Sequence, residues 1–210
     1  MKSRNGAMTR ALGLAAALVA GSCGGDRGDS KPAPSPPPVA SKSATDGSEP
    51  PIYGLDLPLI DQEGRPLVLA DLRGRVLVAA MMYGSCKSVC PRVTEDMKAV
   101  EARLPRLDRD RVEFVLFSLD PGRDTPAALR RFAGEHALDL SRWRLLAASE
   151  DGVRDLAAVL GLKYKPEAGG EIAHSAMIFV IDREGIVRLR QEGLNKDPSA
   201  LVAAVSATGR

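Results

Sequence analysis

The sequence predicts an α/β domain in which helices pack against a mixed β-sheet, with an additional β-hairpin at its start. Three features favour this class: apolar runs at Val76–Met82 and Val112–Leu119, an amphipathic segment between them, and two short strand patterns that precede them. A continuous apolar run bounded by glycines is typical of a strand buried on both faces of a sheet. A strand, a helix and a second strand of these lengths favour a right-handed parallel crossover.

The first half of the domain contains five predicted elements, the last of which is the Val112–Leu119 strand. A hairpin is expected from Leu55–Ile60 and Arg65–Leu69, because the turn between them contains Gly64, which adopts a positive φ readily. After the Val76–Met82 strand, apolar residues recur at helical spacing and predict a helix from about Pro91 to Leu104.

The second half alternates helices with strands. Thr125 and Pro126 offer a helix cap and a first-turn proline. The predicted elements are a helix at Ala127–His136, a strand at Trp143–Ala147, a helix at Glu150–Leu160 ended by Gly161, a mobile loop at Glu167–Glu171, strands at Ser175–Asp182 and Ile186–Arg190, and a short helix at Pro198–Val205.

Residues 1–22 have the pattern of an export signal. Basic residues precede the apolar run Ala11–Ala20, and the small residues Gly21 and Ser22 follow it. Because Cys23 comes next, the segment resembles a bacterial lipoprotein signal, in which that cysteine receives lipid. The alternative is a membrane-spanning anchor, but the run is short of the ~20 apolar residues that a bilayer requires. We therefore expect an exported protein, anchored by lipid in the periplasm or on the outer face of a bacterial membrane.

Residues 23–51 are predicted to be a disordered, extended tether. They contain seven of the fifteen prolines and no aromatic residue, so they bury too little apolar surface to offset the entropy of ordering. Residues 52–210 have the length of a single domain with its own hydrophobic core. Removing residues 1–22 takes the formal net charge from +2 to −1, which gives no electrostatic indication of nucleic-acid binding.

Cys86 and Cys90 are the strongest indication of function. The loop after the Val76–Met82 strand places them at or just before the predicted helix, whose positive end favours thiolates. Two such cysteines can form a redox disulfide or bind a soft metal ion. A purely structural disulfide is the alternative, although it would close a loop too small to stabilise the domain much.

His174 is the candidate for a third metal ligand. It is one of two histidines in the chain, and we assign no chemistry to the other, His136. Two thiolates and an imidazole suit Cu(I), and with one more weak ligand Cu(II), while zinc accepts the same donors. Met81 and Met82 could add thioether ligands, but their place within an apolar strand favours a role in the core.

Three segments together resemble the Sco/SenC family in order and approximate separation. They are Tyr83–Pro91, which contains both cysteines, Phe117–Pro126, and His174 followed by the apolar run Met177–Asp182. The resemblance implies a thioredoxin-like fold and a membrane-tethered copper protein that helps to build the dinuclear copper centre of cytochrome c oxidase. It also implies that a cytochrome c oxidase subunit receives the copper.

The same resemblance implies roles for individual residues. Cys86 and Cys90 would be thiolate ligands of copper and His174 its imidazole ligand, while Asp120 and Asp124 would shape the site. Many relatives have a proline and an aspartate after the first cysteine, where this chain has Lys87 and Ser88. We expect the positive charge of Lys87 to favour the thiolate form of the cysteines.

Two other functions remain open. A thiol-disulfide oxidoreductase that reduces the cysteines of copper-receiving proteins needs only Cys86 and Cys90, and the two roles can coexist, because copper transfer requires reduced thiols. Such enzymes usually carry two residues between their cysteines, whereas this chain has three. A peroxidase of the peroxiredoxin kind would usually place a threonine three residues before its reactive cysteine, where this chain has Tyr83.

Overall fold

The computed structural model describes residues 50–208. The predicted export signal, Cys23 and all but the last two residues of the predicted tether lie outside this range. The strands are β1 (Pro58–Asp61), β2 (Pro66–Val68), β3 (Val76–Met82), β4 (Val112–Ser118), β5 (Trp143–Ala147), β6 (Tyr164–Pro166), β7 (Ile172–His174), β8 (Met177–Ile181) and β9 (Val187–Glu192). The α-helices are α1 (Val89–Arg103), α2 (Arg106–Arg109), α3 (Pro126–Glu135), α4 (Glu150–Leu160) and α5 (Ser199–Thr208).

Seven strands form one mixed sheet in the order β2-β1-β5-β4-β3-β8-β9. β3, β4 and β5 are parallel, and the other pairs are antiparallel. The hairpin β1–β2 adds the outer strands at one edge. The structure thus confirms the predicted α/β class, the mixed sheet, the N-terminal hairpin and the parallel crossover from β3 to β4.

The core lies around β3 and β4, in which every residue is buried. The ring of Phe114 stacks on that of Trp143, with 4.8 Å between their centroids, and so joins β4 to β5. Helices α1 and α5 contact each other and pack on β3 and β8, whereas α3 packs on β5. This buried scaffold fixes the carboxyl ends of β3 and β4, from which two loops of the candidate site begin.

The two hairpins of the main sheet have the same turn, built on Asp61 and Asp182. In each turn one carboxylate oxygen accepts hydrogen bonds from the backbone N–H groups two and four residues later. The glycine that follows, Gly64 or Gly185, has a φ of 77° or 91°, a conformation that costs a glycine little. Burial raises the pKa of Asp61, but its hydrogen bonds with Arg65 and Glu63 outweigh this effect and lower it overall.

Several elements, most of them around the candidate site, differ from the predictions. The first long helix begins at Val89 rather than Pro91, so Cys90 lies inside it. The strand predicted from Ser175 is shorter, Met177–Ile181, and His174 ends the short strand β7 instead of ending a loop. The β6–β7 hairpin was not predicted, nor was α2. Within residues 50–208, no helix has both the length and the apolar character needed to cross a membrane.

Candidate metal centre

The cysteine loop, residues 83–88, connects β3 to α1 and carries Cys86, while Cys90 is the second residue of the helix. The backbone N–H of Cys86 donates to the carbonyl of Tyr83 (3.1 Å), and that of Cys90 donates to the Cys86 sulfur (3.3 Å). Both thiols are free in the structure. Cys90 is 1 % exposed and Cys86 6 %, so the pair is shielded from water but lies near the surface on the Cys86 side.

His174 lies beside the two sulfurs although it is 84 positions from Cys90 in the sequence. β8 runs antiparallel to β3, so the segment before β8 lies at the edge of the sheet where β3 ends. There the His174 Nε2 lies 3.5 Å from the Cys90 sulfur. The potential ligand atoms of Cys86, Cys90 and His174 all lie within 4.8 Å of one another. The structure therefore brings together the three residues that the sequence singled out.

The other ring nitrogen of His174 fixes the orientation of the imidazole. Its Nδ1 lies 3.0 Å from the backbone carbonyl of Ser175. Because a carbonyl oxygen only accepts, Nδ1 must carry a proton, and Nε2 is the nitrogen that faces the sulfurs. A hydrogen bond from the non-coordinating nitrogen to a backbone carbonyl is the usual way in which proteins orient a histidine toward a metal.

The two thiols are electrostatically unequal. A hydrogen bond with the Cys90 thiol is the largest cause that lowers the pKa of Cys86; burial opposes it, and His174 adds to the lowering. The hydrogen bond with Cys86, together with burial, raises the pKa of Cys90. Cys86 is therefore the thiolate of the pair and Cys90 its proton donor. The leading causes lie in these buried contacts rather than in the charge of Lys87, which is exposed.

We predict that this asymmetry controls alkylation. A free cysteine has a pKa near 8.5, whereas the lowered pKa of Cys86 keeps it a thiolate as the pH falls. Iodoacetamide should therefore label Cys86 in preference to Cys90 at about pH 6, as measured by peptide mapping across a pH series. Cys90→Ala removes the hydrogen-bond donor and should shift the Cys86 profile to higher pH. A parent profile for Cys86 centred near the ordinary value would contradict the assignment.

Asp124 joins the cysteine loop to the end of β4. Its two carboxylate oxygens lie 3.0 and 3.1 Å from the backbone nitrogen of Gly84, which donates to them. The hydroxyl of Ser118 donates to the same carboxylate at 2.5 Å. Asp124 is 3 % exposed, and this burial raises its pKa. Of the two aspartates expected to shape the site, Asp124 is thus the one that bonds the cysteine loop.

Asp120 acts at a different place. Its carboxylate accepts a hydrogen bond from Arg123, and the same guanidinium donates to the backbone carbonyl of Gly170. Asp120 therefore orients an arginine that bonds the segment between β6 and β7. That segment, predicted as a mobile loop at Glu167–Glu171, includes a short 3₁₀ turn at Ala168–Gly170.

Sequence reasoning missed two residues that join the halves of the site. The hydroxyl of Tyr83 donates to Glu171 Oε2 at 2.7 Å, across 88 positions of sequence. Burial and this hydrogen bond raise the pKa of Tyr83. In the sequence, Tyr83 begins one of the segments that resemble the Sco/SenC family and departs from a peroxidase pattern, while Glu171 is part of the predicted loop; neither observation predicts their contact. No local pattern relates two residues that far apart.

Comparison with known proteins identifies the family. The model of the SCO1/SenC family matches residues 45–208. The chain belongs to the SCO1/SenC family. This result confirms the resemblance predicted from the three segments, and the structural relatives confirm the thioredoxin-like fold expected of SCO1/SenC proteins.

Individual SCO1/SenC relatives cover most of the domain. The SCO1 protein homolog of Bacillus subtilis is 26 % identical over 141 residues, which are 66 % of this chain and 72 % of the relative. The structure resembles that of a SCO1/SenC family lipoprotein from Bacillus anthracis, with a TM-score of 0.70 and 25 % identity over 81 % of this chain and 100 % of the other. It also resembles Arabidopsis thaliana ScoI with copper bound, with a TM-score of 0.62 and 18 % identity over 72 % and 94 % of the two chains.

Proposed function

We propose that the protein is a copper chaperone that binds one copper ion through Cys86, Cys90 and His174 and passes it to a receiving protein. The observation that carries this proposal is the convergence of two sulfurs and one imidazole nitrogen within 4.8 Å. The structural relative from Arabidopsis thaliana with copper bound supports copper as the metal. Copper is here the cargo of the protein, so its binding must be both tight and reversible.

The donor set suits both oxidation states of copper. Cu(I) is a soft ion that thiolates hold well, and Cu(II) prefers a site that includes imidazole nitrogen. Cys86 and Cys90 would therefore account for most of the Cu(I) affinity, while His174 matters more for Cu(II). Because Cys86 lies near the surface and Lys87 beside it is exposed, thiols of a receiving protein can approach the ion from that side.

The receiving protein in this proposal is a cytochrome c oxidase subunit, whose dinuclear copper centre the protein helps to assemble. Membership of the SCO1/SenC family supports this role. We further propose that export by residues 1–22 and lipidation of Cys23 place the domain, on the tether of residues 23–51, at the outer face of a bacterial membrane. The Bacillus anthracis relative is a lipoprotein, which supports the lipid anchor.

Reduction of disulfides in the receiving protein is a second candidate function, and the asymmetry of the two thiols favours it. The Cys86 thiolate would attack a disulfide of the partner, forming a mixed disulfide and releasing one partner thiolate. Cys90 would then lose its proton and attack the Cys86 sulfur. The products would be a Cys86–Cys90 disulfide and two reduced partner cysteines, ready to receive copper.

Copper titration separates the two functions. We predict that the reduced parent binds one copper ion, and that His174→Ala lowers its Cu(II) affinity at least about 100-fold, beyond the 10- to 100-fold typical of residues that only support a ligand. The rate of disulfide exchange of this variant should fall far less, because the sulfurs carry out the exchange and His174 only adds to the lowering of the Cys86 pKa. Competition with a chelator measures the affinity, and reduction of a small aromatic disulfide measures the exchange.

His136→Ala is the matched control, because it replaces the other histidine, which packs on Phe132 at the end of α3. It should leave both copper affinities unchanged. Parent-like Cu(II) affinity in His174→Ala would remove His174 from the ligand set and leave the disulfide function as the better proposal.

A further inference from the structure

The hairpin that carries His174 is structurally separate from the main sheet. Among the strands of residues 50–208, β6 and β7 pair only with each other, Tyr164 opposite His174, and form a two-stranded sheet of their own. The main sheet holds β8 and so brings His174 to the edge where β3 ends, but its register does not reach the imidazole itself. Contacts of the hairpin with its surroundings must complete the positioning.

Consecutive residues just before His174 make such contacts. The carbonyl of Gly170 accepts from Arg123, Glu171 accepts from Tyr83, and the side chain of Ile172 is 9 % exposed. In a strand, side chains alternate between faces, so Ile172 and His174 point to the same side. Burial of Ile172 thus turns His174 toward the sulfurs, but an apolar contact without direction does not fix its distance from them.

Tyr83 is the contact that begins in the cysteine loop itself. It follows β3 directly and is 2 % exposed, and its carbonyl accepts the N–H of Cys86 at 3.1 Å. Its ring meets the His174 ring edge-on, with 6.0 Å between centroids. Its hydroxyl donates to Glu171 at 2.7 Å. Tyr83 therefore connects three parts of the site: its backbone carbonyl bonds Cys86, its ring contacts the imidazole, and its hydroxyl bonds the residue just before β7.

We propose that Tyr83 is a positioning residue of the metal site: by donating its hydroxyl to Glu171, it holds the His174 hairpin at coordinating distance from Cys86 and Cys90. A hydrogen bond to a carboxylate is about twice as strong as one between neutral groups and is directional, which the packing of the tyrosine ring is not. The inference rests on the proposed copper function for its consequence, but the positioning itself does not need the metal.

The hydrogen bond from Tyr83 to Glu171 is expected to affect the Cu(II) affinity more than the Cu(I) affinity. If the hairpin moves away, the two sulfurs stay together, because both belong to the segment between β3 and α1. Cu(I), held mainly by thiolates, then loses little affinity. Binding of Cu(II) depends more on the imidazole and requires the hairpin to return to its place. The free energy of that movement lowers the Cu(II) affinity.

Tyr83→Phe tests the proposal, because it keeps the ring beside His174 and removes only the hydroxyl. We predict that Cu(II) affinity falls about tenfold, the lower end of the range for residues that support a ligand, while Cu(I) affinity changes less than about threefold. In the metal-free protein, amide hydrogen exchange across residues 164–174 should become faster. Glu171→Gln keeps an oxygen acceptor for the tyrosine and should remain closer to the parent than Glu171→Ala.

Tyr164→Phe is the matched control. It removes a hydroxyl from the residue paired with His174, and should alter neither measurement. Parent-like behaviour of Tyr83→Phe in both would overturn the proposal. Faster amide exchange without loss of Cu(II) affinity would also overturn it, and so would loss of affinity with unchanged exchange. Either result would show that the position of the hairpin does not determine the Cu(II) affinity. A parent that binds no copper would end the proposed function, whereas the metal-free exchange would still decide whether Tyr83 holds the hairpin.

Discussion

Replacing Cys86 or Cys90 with serine should abolish tight copper binding, the largest effect that we expect of any substitution in this protein. A serine hydroxyl is a hard, protonated oxygen, and each variant leaves a single thiolate and one imidazole for a soft ion. We expect Cu(I) affinity to fall more than about a thousandfold, well beyond the effect of a supporting residue. Competition with a coloured Cu(I) chelator under reducing conditions measures this loss.

Cys23→Ser provides the control for the same chemical change. Cys23 is the remaining one of the three cysteines in the chain. It has no part in the proposed copper site, so its variant should keep the parent's copper affinity. Undiminished binding by Cys86→Ser or by Cys90→Ser would contradict the ligand set, and it would show that copper is held elsewhere. Equal losses in both variants would indicate that the two sulfurs bind the ion together.

The main sheet was predictable because its central strands have a strong local signal. The predicted bounds of β3 and β5 agree with the structure, and so do those of α4, which ends at Gly161 with a φ of 70°. A run of buried apolar residues marks a central strand, and a glycine in the left-handed region marks the end of a helix. These signals lie within each element and need no knowledge of its neighbours.

The hairpin that carries His174 gave no comparable signal. β6 and β7 have three residues each, and β6 is a tyrosine, a lysine and a proline. Alternation over three residues does not define a face, and proline within a strand pattern argues against a strand. The hairpin is stabilised instead by contacts with distant residues, such as the bond from Arg123 to Gly170.

The proximity of the two cysteines and His174 could be predicted from the sequence only in part. The position of Cys86 after a parallel strand placed it at the carboxyl edge of the sheet, where functional groups gather. Whether His174 reached that edge depended on the direction of β8, which is antiparallel to β3. Strand direction is a property of the whole fold, so for this residue the family resemblance supplied what periodicity could not.

Asp124→Ala should produce the largest loss of stability among the polar substitutions around the site. The buried carboxylate accepts from the buried Ser118 hydroxyl and from the half-buried N–H of Gly84, and alanine removes the acceptor of both donors. Each unsatisfied buried donor costs about 1–3 kcal/mol, so we expect unfolding to be easier by roughly 3 kcal/mol, as measured by denaturant titration at pH 7. Because Gly84 belongs to the cysteine loop, Cu(I) affinity should also fall about tenfold.

Asp120→Ala is the control within the same segment. Asp120 bonds the partly exposed Arg123, and exposed ion pairs contribute about 0–1 kcal/mol, so its stability should stay within that range of the parent. The close approach of Asp124 also explains the glycine at position 84, since a Cβ there would lie 2.6 Å from the carboxylate. If Asp124→Ala were as stable as Asp120→Ala, the Gly84 bond could not be what holds the cysteine loop against β4.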